Sequence, residues 1–386
     1  MNQIVAKERD TRIDVFRAIA LLTIFVNHVP GNAFEFMTHK NFGFSDAAEA
    51  FVLISGIAAG LAYGSKFTPG RRLLTSLRAA RRAGVLYVTH MMTTMASVAL
   101  FALAAVIFAR PELLKMINIE TIIVHTPEAL VGLVTLGHQL GYNNILSMYA
   151  VVLLLMPAFL FLGQRSIGLM LAVSGTVWLL SGIYHVAPIN YPTAGQWFLN
   201  PLSWQFLFVI GMAGMMHVKR GGTIAFNPAL YVVAAGYALL ALVWVRAPLW
   251  WIDTSMGMPA VLTGFDKTYL SVPRLLHVLS LAYLIVAMPK ISNLLRLAQD
   301  HPLSILGKHS LPIFVAGTLM AMIGQIAKAT YTGGIAFDAL IISAGLVLHF
   351  AFAYYLEWYK TLGKVSVAVV PSAPVAKPVS VPMTRR

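Results

Sequence analysis

About ten predominantly apolar stretches follow one another along this chain, separated by short connectors rich in Lys and Arg, and that alternation leaves few folds open. Each stretch approaches the roughly 20 residues a helix needs to cross a hydrocarbon core. Charged residues make up only 11% of the sequence and hydrophobic ones 58%, whereas a soluble domain carries about 25% charged residues. The expectation is an all-α polytopic membrane bundle. Its spans are read at 13–30, 48–64, 83–109, 143–162, 167–184, 202–217, 229–246, 272–289, 303–327 and 337–359. They form one transmembrane domain over 1–360. Residues 361–386 repeat Val, Pro, Ala and Ser and are expected to be a disordered tail.

The net charge of +14 then reports orientation rather than an affinity for nucleic acid. If both termini are cytoplasmic, all but seven of the 28 Lys and Arg fall on the inner side, from Lys7, Arg9 and Arg12 to the cations of the tail. The first span is accordingly expected to be a retained anchor. The absence of Cys removes disulfides, thiolate metal sites and a Cys nucleophile. Three connectors on the opposite side, 110–142, 185–201 and 247–271, are long enough to shape a mouth over the helices. Trp197, Trp204, Trp250 and Trp251 near span ends are expected to anchor at the interface before they serve as a sugar platform.

The chemistry concentrates on the first two spans. Arg17 and His28 lie eleven residues apart, which returns to within about 20° on the helical wheel, and about 16 Å apart along the axis. They share a face, and at least one must lie at membrane depth, where an ionisable group is a functional candidate. Asp14 can pair with Arg17 one turn away, which would suffice to anchor the helix end. His28 has Asn27, Asn32, His39 and Asn41 as polar neighbours. The second span opens with Asp46 and Glu49 at the spacing of a capping box. Capping explains them fully, and two carboxylates beside a histidine-bearing helix can equally orient an imidazole or hold a sugar hydroxyl. Ser55-Gly56, Gly60 and Gly64 give a small-residue face expected to pack helix two on helix one, with Ser55 near the Arg17 side.

The connector 65–82 holds six cations and no acid. Such clusters enforce topology or touch anionic lipid. Arg71, Arg72, Arg81 and Arg82 also suit a nucleotide phosphate or pyrophosphate. Arg274 and His277, three residues apart at an outer helix end, are candidates for contact with an acceptor. His125, Glu128 and His138 match no familiar ligand spacing, and no metal site is expected.

The stretch from Arg9 to Gly64 closely resembles the OpgC family of membrane proteins linked to acylation of osmoregulated periplasmic glucans. It is similar also to the broader acyltransferase type 3 superfamily, in the basic residue and later His of the first helix (Arg17, His28) and in the Ser-Gly after an aromatic run (Phe51 to Gly56). Ala18 stands where the pattern has Gly, and Ile57 where it has an aromatic. The resemblance implies a multi-pass protein of the bacterial inner membrane that moves an acyl group, typically succinyl, from cytosolic acyl-CoA to a glucan hydroxyl. On that footing His28 would be the general base or acyl carrier, oriented by Asp46 or Glu49. Asp14, Arg17, Ser55 and the four arginines would hold the donor, and Asn27, Asn41, Arg274 and His277 the acceptor. Acyl-CoA would be a co-substrate, with no permanently bound cofactor. Rival expectations are a secondary transporter using Asp14, Arg17 and His28 as a relay, and a non-catalytic subunit of a glucan-export assembly.

Overall fold

A computed structural model of the chain describes residues 10–365. Among these residues every regular element is a helix, apart from one isolated antiparallel bridge between Ile189 and Gln196. The principal helices are α1 (Arg12–Asn27), α2 (Ala47–Ala59, continued by a π turn to Gly64), α3 (Arg72–Ile107), α4 (Asn144–Arg165), α5 (Ile167–Ile183) and α6 (Pro201–Lys219). Then come α7 (Pro228–Arg246), α8 (Val272–Val286), α9 (Pro302–Lys308), α10 (Ser310–Thr330) and α11 (Ile335–Val365). A helix therefore occupies each apolar stretch. Seven helices among the described residues are long and apolar enough to cross a membrane. The remaining α1, α5 and α8 have 16, 17 and 15 residues, about 22–26 Å of rise against a core of about 30 Å.

Local chemistry sets the helix ends. Asp46 caps α2 by accepting from the Ala48 amide at 2.8 Å, and Glu49 reaches back to the Asp46 amide at 2.9 Å, completing the capping box. Asn200 and Asn227 cap α6 and α7, each followed by a Pro in the first turn. At the other end of α1, the Asn32 side chain donates to the carbonyls of Val26 and Val29, so the last turn is closed by a side chain where the helix can no longer close itself.

Several expectations change. The cationic connector is helical from Arg72 on, because Leu, Ala and Arg are strong helix formers and nothing in LLTSLRAARRA breaks the run. The ninth span is two helices, α9 and α10, meeting at His309. The final helix continues through Val365, past the expected start of the tail; the rest of the tail, like Lys7 and Arg9, lies outside the described residues. The small-residue face of α2 packs on α6 as well, and this is where its glycines are required. A Cβ at Gly56 would sit 1.9 Å from the Phe208 carbonyl oxygen, and one at Gly211 would sit 2.2 Å from that of Leu53. Two backbones thus touch through reciprocal glycines. On α1 the close approach comes from α9, where Gly307 lies against the Asp14 carbonyl.

The core is built from Ala18, Leu21 and Ile24 of α1, Val52 and Leu53 of α2, and the inner faces of α4 and α6. By contrast α7 and α11 turn Val232, Val233, Leu239, Leu340, Val347 and Leu348 outward. Outward apolar faces of that extent fit a lipid surround.

Candidate functional site

Two cavities lie along the polar side of α1. One, of about 290 Å³, is lined by Arg17, Ser55, Tyr63, Arg82, Tyr149 and Lys308 among apolar walls. The other, of about 220 Å³, is lined by Asn27, His28, Glu35, Lys40, Asp46, Tyr142, Asn144, Phe198 and Lys267. Ile145 and Phe314 belong to both linings, so these two side chains form the partition between them. The helical phase that puts Arg17 and His28 on one face is therefore used: each opens into one of two adjoining spaces.

In the first cavity Arg17 is 3.7 Å from Asp14, and its guanidinium shares the space with Arg82, Ser55 and the Tyr149 hydroxyl. Lys308, unremarked in the sequence, enters from the end of α9 and is held at 2.6 Å by Glu357 of α11. Among the described residues three cations line this cavity and no carboxylate does. Of the four arginines expected at a phosphate, Arg82 alone reaches it. Arg72 lies over the Phe161 ring, 4.9 Å from its centroid, while Arg71 and Arg81 are exposed. One helix carries all but Arg71, and residues spaced 9 and 10 positions apart cannot all face the same way. Asp14 is buried and lines a separate cleft with Ser304, Lys308 and Glu357.

His28 ends α1, and its position is set by backbone contacts. Its amide donates to the Ile24 carbonyl at 3.0 Å, and its own carbonyl accepts from Gln325 of α10 at 2.8 Å. The imidazole stacks on Tyr142, centroids 3.9 Å apart and planes within 11°. Among the described residues no hydrogen bond occupies either ring nitrogen, and both remain available to a molecule in the cavity.

The carboxylates do not orient the imidazole, which corrects that expectation. Glu49 is fully buried and receives Arg274 Nε at 2.7 Å. Asp46 pairs with Lys267 and lies 3.6 Å from Arg274. Burial would raise the Asp46 carboxyl, but Lys267 and Arg274 outweigh it and hold the group well below the usual carboxylate range. Asp46 still shares the cavity with His28, whereas Glu49 stands behind it as scaffold.

The expected acceptor residues divide in the same way. Asn27 lines the cavity and accepts from Thr38 at 2.6 Å. Asn41 instead donates to the Glu35 carbonyl, Arg274 is consumed by Glu49, and His277 is buried against Gly43 with its Nδ1 2.7 Å from Ser45 Oγ. Arg274 and His277 face inward because α8 packs against the start of α2, an arrangement that spacing along one helix does not reveal. His138 bonds the Asn118 carbonyl at 3.0 Å, and no group of three or more His, Asp or Glu among the described residues is placed to hold a metal.

The three long connectors do converge over His28, contributing Tyr142, Phe198 and Lys267 respectively. Left-handed backbone at Gly141 (φ +51°) turns the chain immediately before Tyr142. The Lys267 segment is clamped by two indoles: Trp204 Nε1 donates to the Lys267 carbonyl at 3.0 Å, and Trp178 Nε1 to that of Leu270 at 3.0 Å. Trp204 and Trp197 are thus buried structural residues, while Trp250 and Trp251 remain exposed.

A helical membrane protein with adjoining cavities at two levels of one polar helix face is the class these features define. The chain belongs to the OpgC protein family, whose family model matches residues 9–361. That membership ties it to the modification of osmoregulated periplasmic glucans. No curated protein and no solved structure matches it.

Proposed function

We propose that this protein transfers an acyl group, in the first instance succinyl, from a cytosolic acyl-CoA to a hydroxyl of a periplasmic glucan across the bacterial inner membrane, with both termini cytoplasmic. The observation that carries this reading is the pair of cavities, cationic at Arg17 and open at His28, separated by the side chains of Ile145 and Phe314. Acyl-CoA brings several phosphates, and Arg17, Arg82 and Lys308 offer charge-assisted contacts for them. The pantetheine arm passes between Ile145 and Phe314 and delivers the thioester to His28. No permanently bound cofactor takes part.

There the glucan hydroxyl oxygen attacks the thioester carbon while a free nitrogen of His28 accepts its proton; the carbon–sulfur bond breaks, and the imidazolium returns that proton to the leaving thiolate. The stack on Tyr142 holds the ring, and Asp46 and Lys267 flank the reacting carbonyl. An acyl-imidazole route uses the same atoms in two steps. Mass spectrometry of periplasmic glucans from cells with and without the protein tests the reading. Loss of one acyl mass increment is expected; disappearance of the glucan altogether would replace transfer with export.

A further inference from the structure

A third cavity, of about 260 Å³, adjoins the His28 cavity and shares Tyr142, Asn144 and Phe198 with it. Its remaining polar lining is amide and hydroxyl, from Asn118, Gln139, Asn190, Thr193 and Gln196, together with the His138 imidazole, whose Nε2 is already bonded to the Asn118 carbonyl. Among the described residues no Lys, Arg, Asp or Glu lines it. Among the described residues the side chains of Asn144, Asn190 and Thr193 hydrogen-bond no other residue, and all three line the space. Phe198 is 51% exposed, a large apolar surface kept open at the junction of the two cavities, with Lys267 on one side of its ring.

Neutral amides that donate and accept, beside aromatic faces, match a ligand that is uncharged, dense in hydroxyls and apolar on its ring faces. We infer that this cleft is a saccharide subsite, which seats glucose units of the acceptor flanking the one that reacts at His28. The inference deepens the transferase reading and rests on it for the identity of the saccharide. Tyr142 joins the two spaces: one face carries the His28 imidazole, and the residue also lines the cleft. A chain lying across Tyr142 and Phe198 therefore enters the His28 cavity from a fixed direction, so the cleft selects oligomers over free glucose.

The test is a calorimetric titration of the full-length protein in nanodiscs with a neutral β-glucohexaose and no acyl donor, which reads the cleft whether or not transfer occurs. Saturable binding is expected, weakened about 3- to 10-fold by Asn190→Ala and further by Phe198→Ala, with glucose binding at least tenfold more weakly. Thr193→Val, a change at an exposed position, gives a second reading should either variant misfold. Affinities equal to wild type in all three variants, or tighter binding of an anionic hexauronate of equal length, would overturn the subsite. Absence of hexaose binding would overturn it too. Binding with no acyl transfer in a parallel assay would instead reject the transferase reading and leave the cleft as a glucan site.

Discussion

The cavity at Arg17 and the cavity at His28 are of similar size and share two wall residues, yet they are made from different parts of the chain. The first is enclosed by α1, α2, α3, α4, α9 and α10, and its charged lining is all cationic. The second takes Tyr142, Phe198 and Lys267 from connectors, and its charges are matched, Glu35 and Asp46 against Lys40 and Lys267. A space that shows a ligand only cations, with Asp14 and Glu357 behind two of them, favours an anion, while one lined by both signs favours a neutral molecule with hydroxyls to share. The division suits a reaction in which a phosphate-bearing donor and a sugar acceptor arrive from opposite ends.

Substitutions can break that division. Replacing His28 with Ala should lower the acyl-transfer rate by about 10²- to 10⁴-fold, with stability reduced by no more than the Tyr142 stack contributes, about 0.5–1.5 kcal/mol; a variant at full rate would remove chemistry from the second cavity. Glu49→Ala leaves Arg274 with only the more distant Asp46 and should cost up to about 3 kcal/mol of stability, seen as a lower melting temperature; a neutral result would mean the pair is not holding α8 to α2. Arg17→Gln should raise the KM for acyl-CoA about tenfold or more and leave glucohexaose affinity alone, whereas Arg71→Gln and Arg81→Gln should stay within about twofold of wild type because neither side chain reaches the cavity. Equal effects from all three arginines would mean the donor binds outside the bundle. Tyr142→Leu removes the ring under the imidazole, a contact of about 0.5–1.5 kcal/mol, and should lower kcat several-fold while donor KM holds.

Arg17 and His28 were legible because eleven residues is close to three turns, and helical phase is a property of the local sequence. Asp46 and Glu49 were legible as a capping box for the same reason. Tyr142, Phe198 and Lys267 were not, since each sits in a separate connector and nothing in its own neighbourhood marks it. Arg274 and His277 had a sound helical spacing, yet they bond Glu49 and Ser45 and stand outside the His28 cavity lining, because which side of α8 faces protein depends on α2.

Sequence by itself determined that this chain is a helical membrane protein, where its apolar stretches lie, and which two side chains share the polar face of α1, since these follow from transfer free energy and from a repeat of 3.6 residues per turn. Only the tertiary structure decided which arginine meets Arg17, what stacks on His28 and which carboxylate is spent on scaffold. Those answers depend on contacts such as Glu49 with Arg274, 225 positions apart, and contacts between distant segments are fixed by packing that no local pattern encodes.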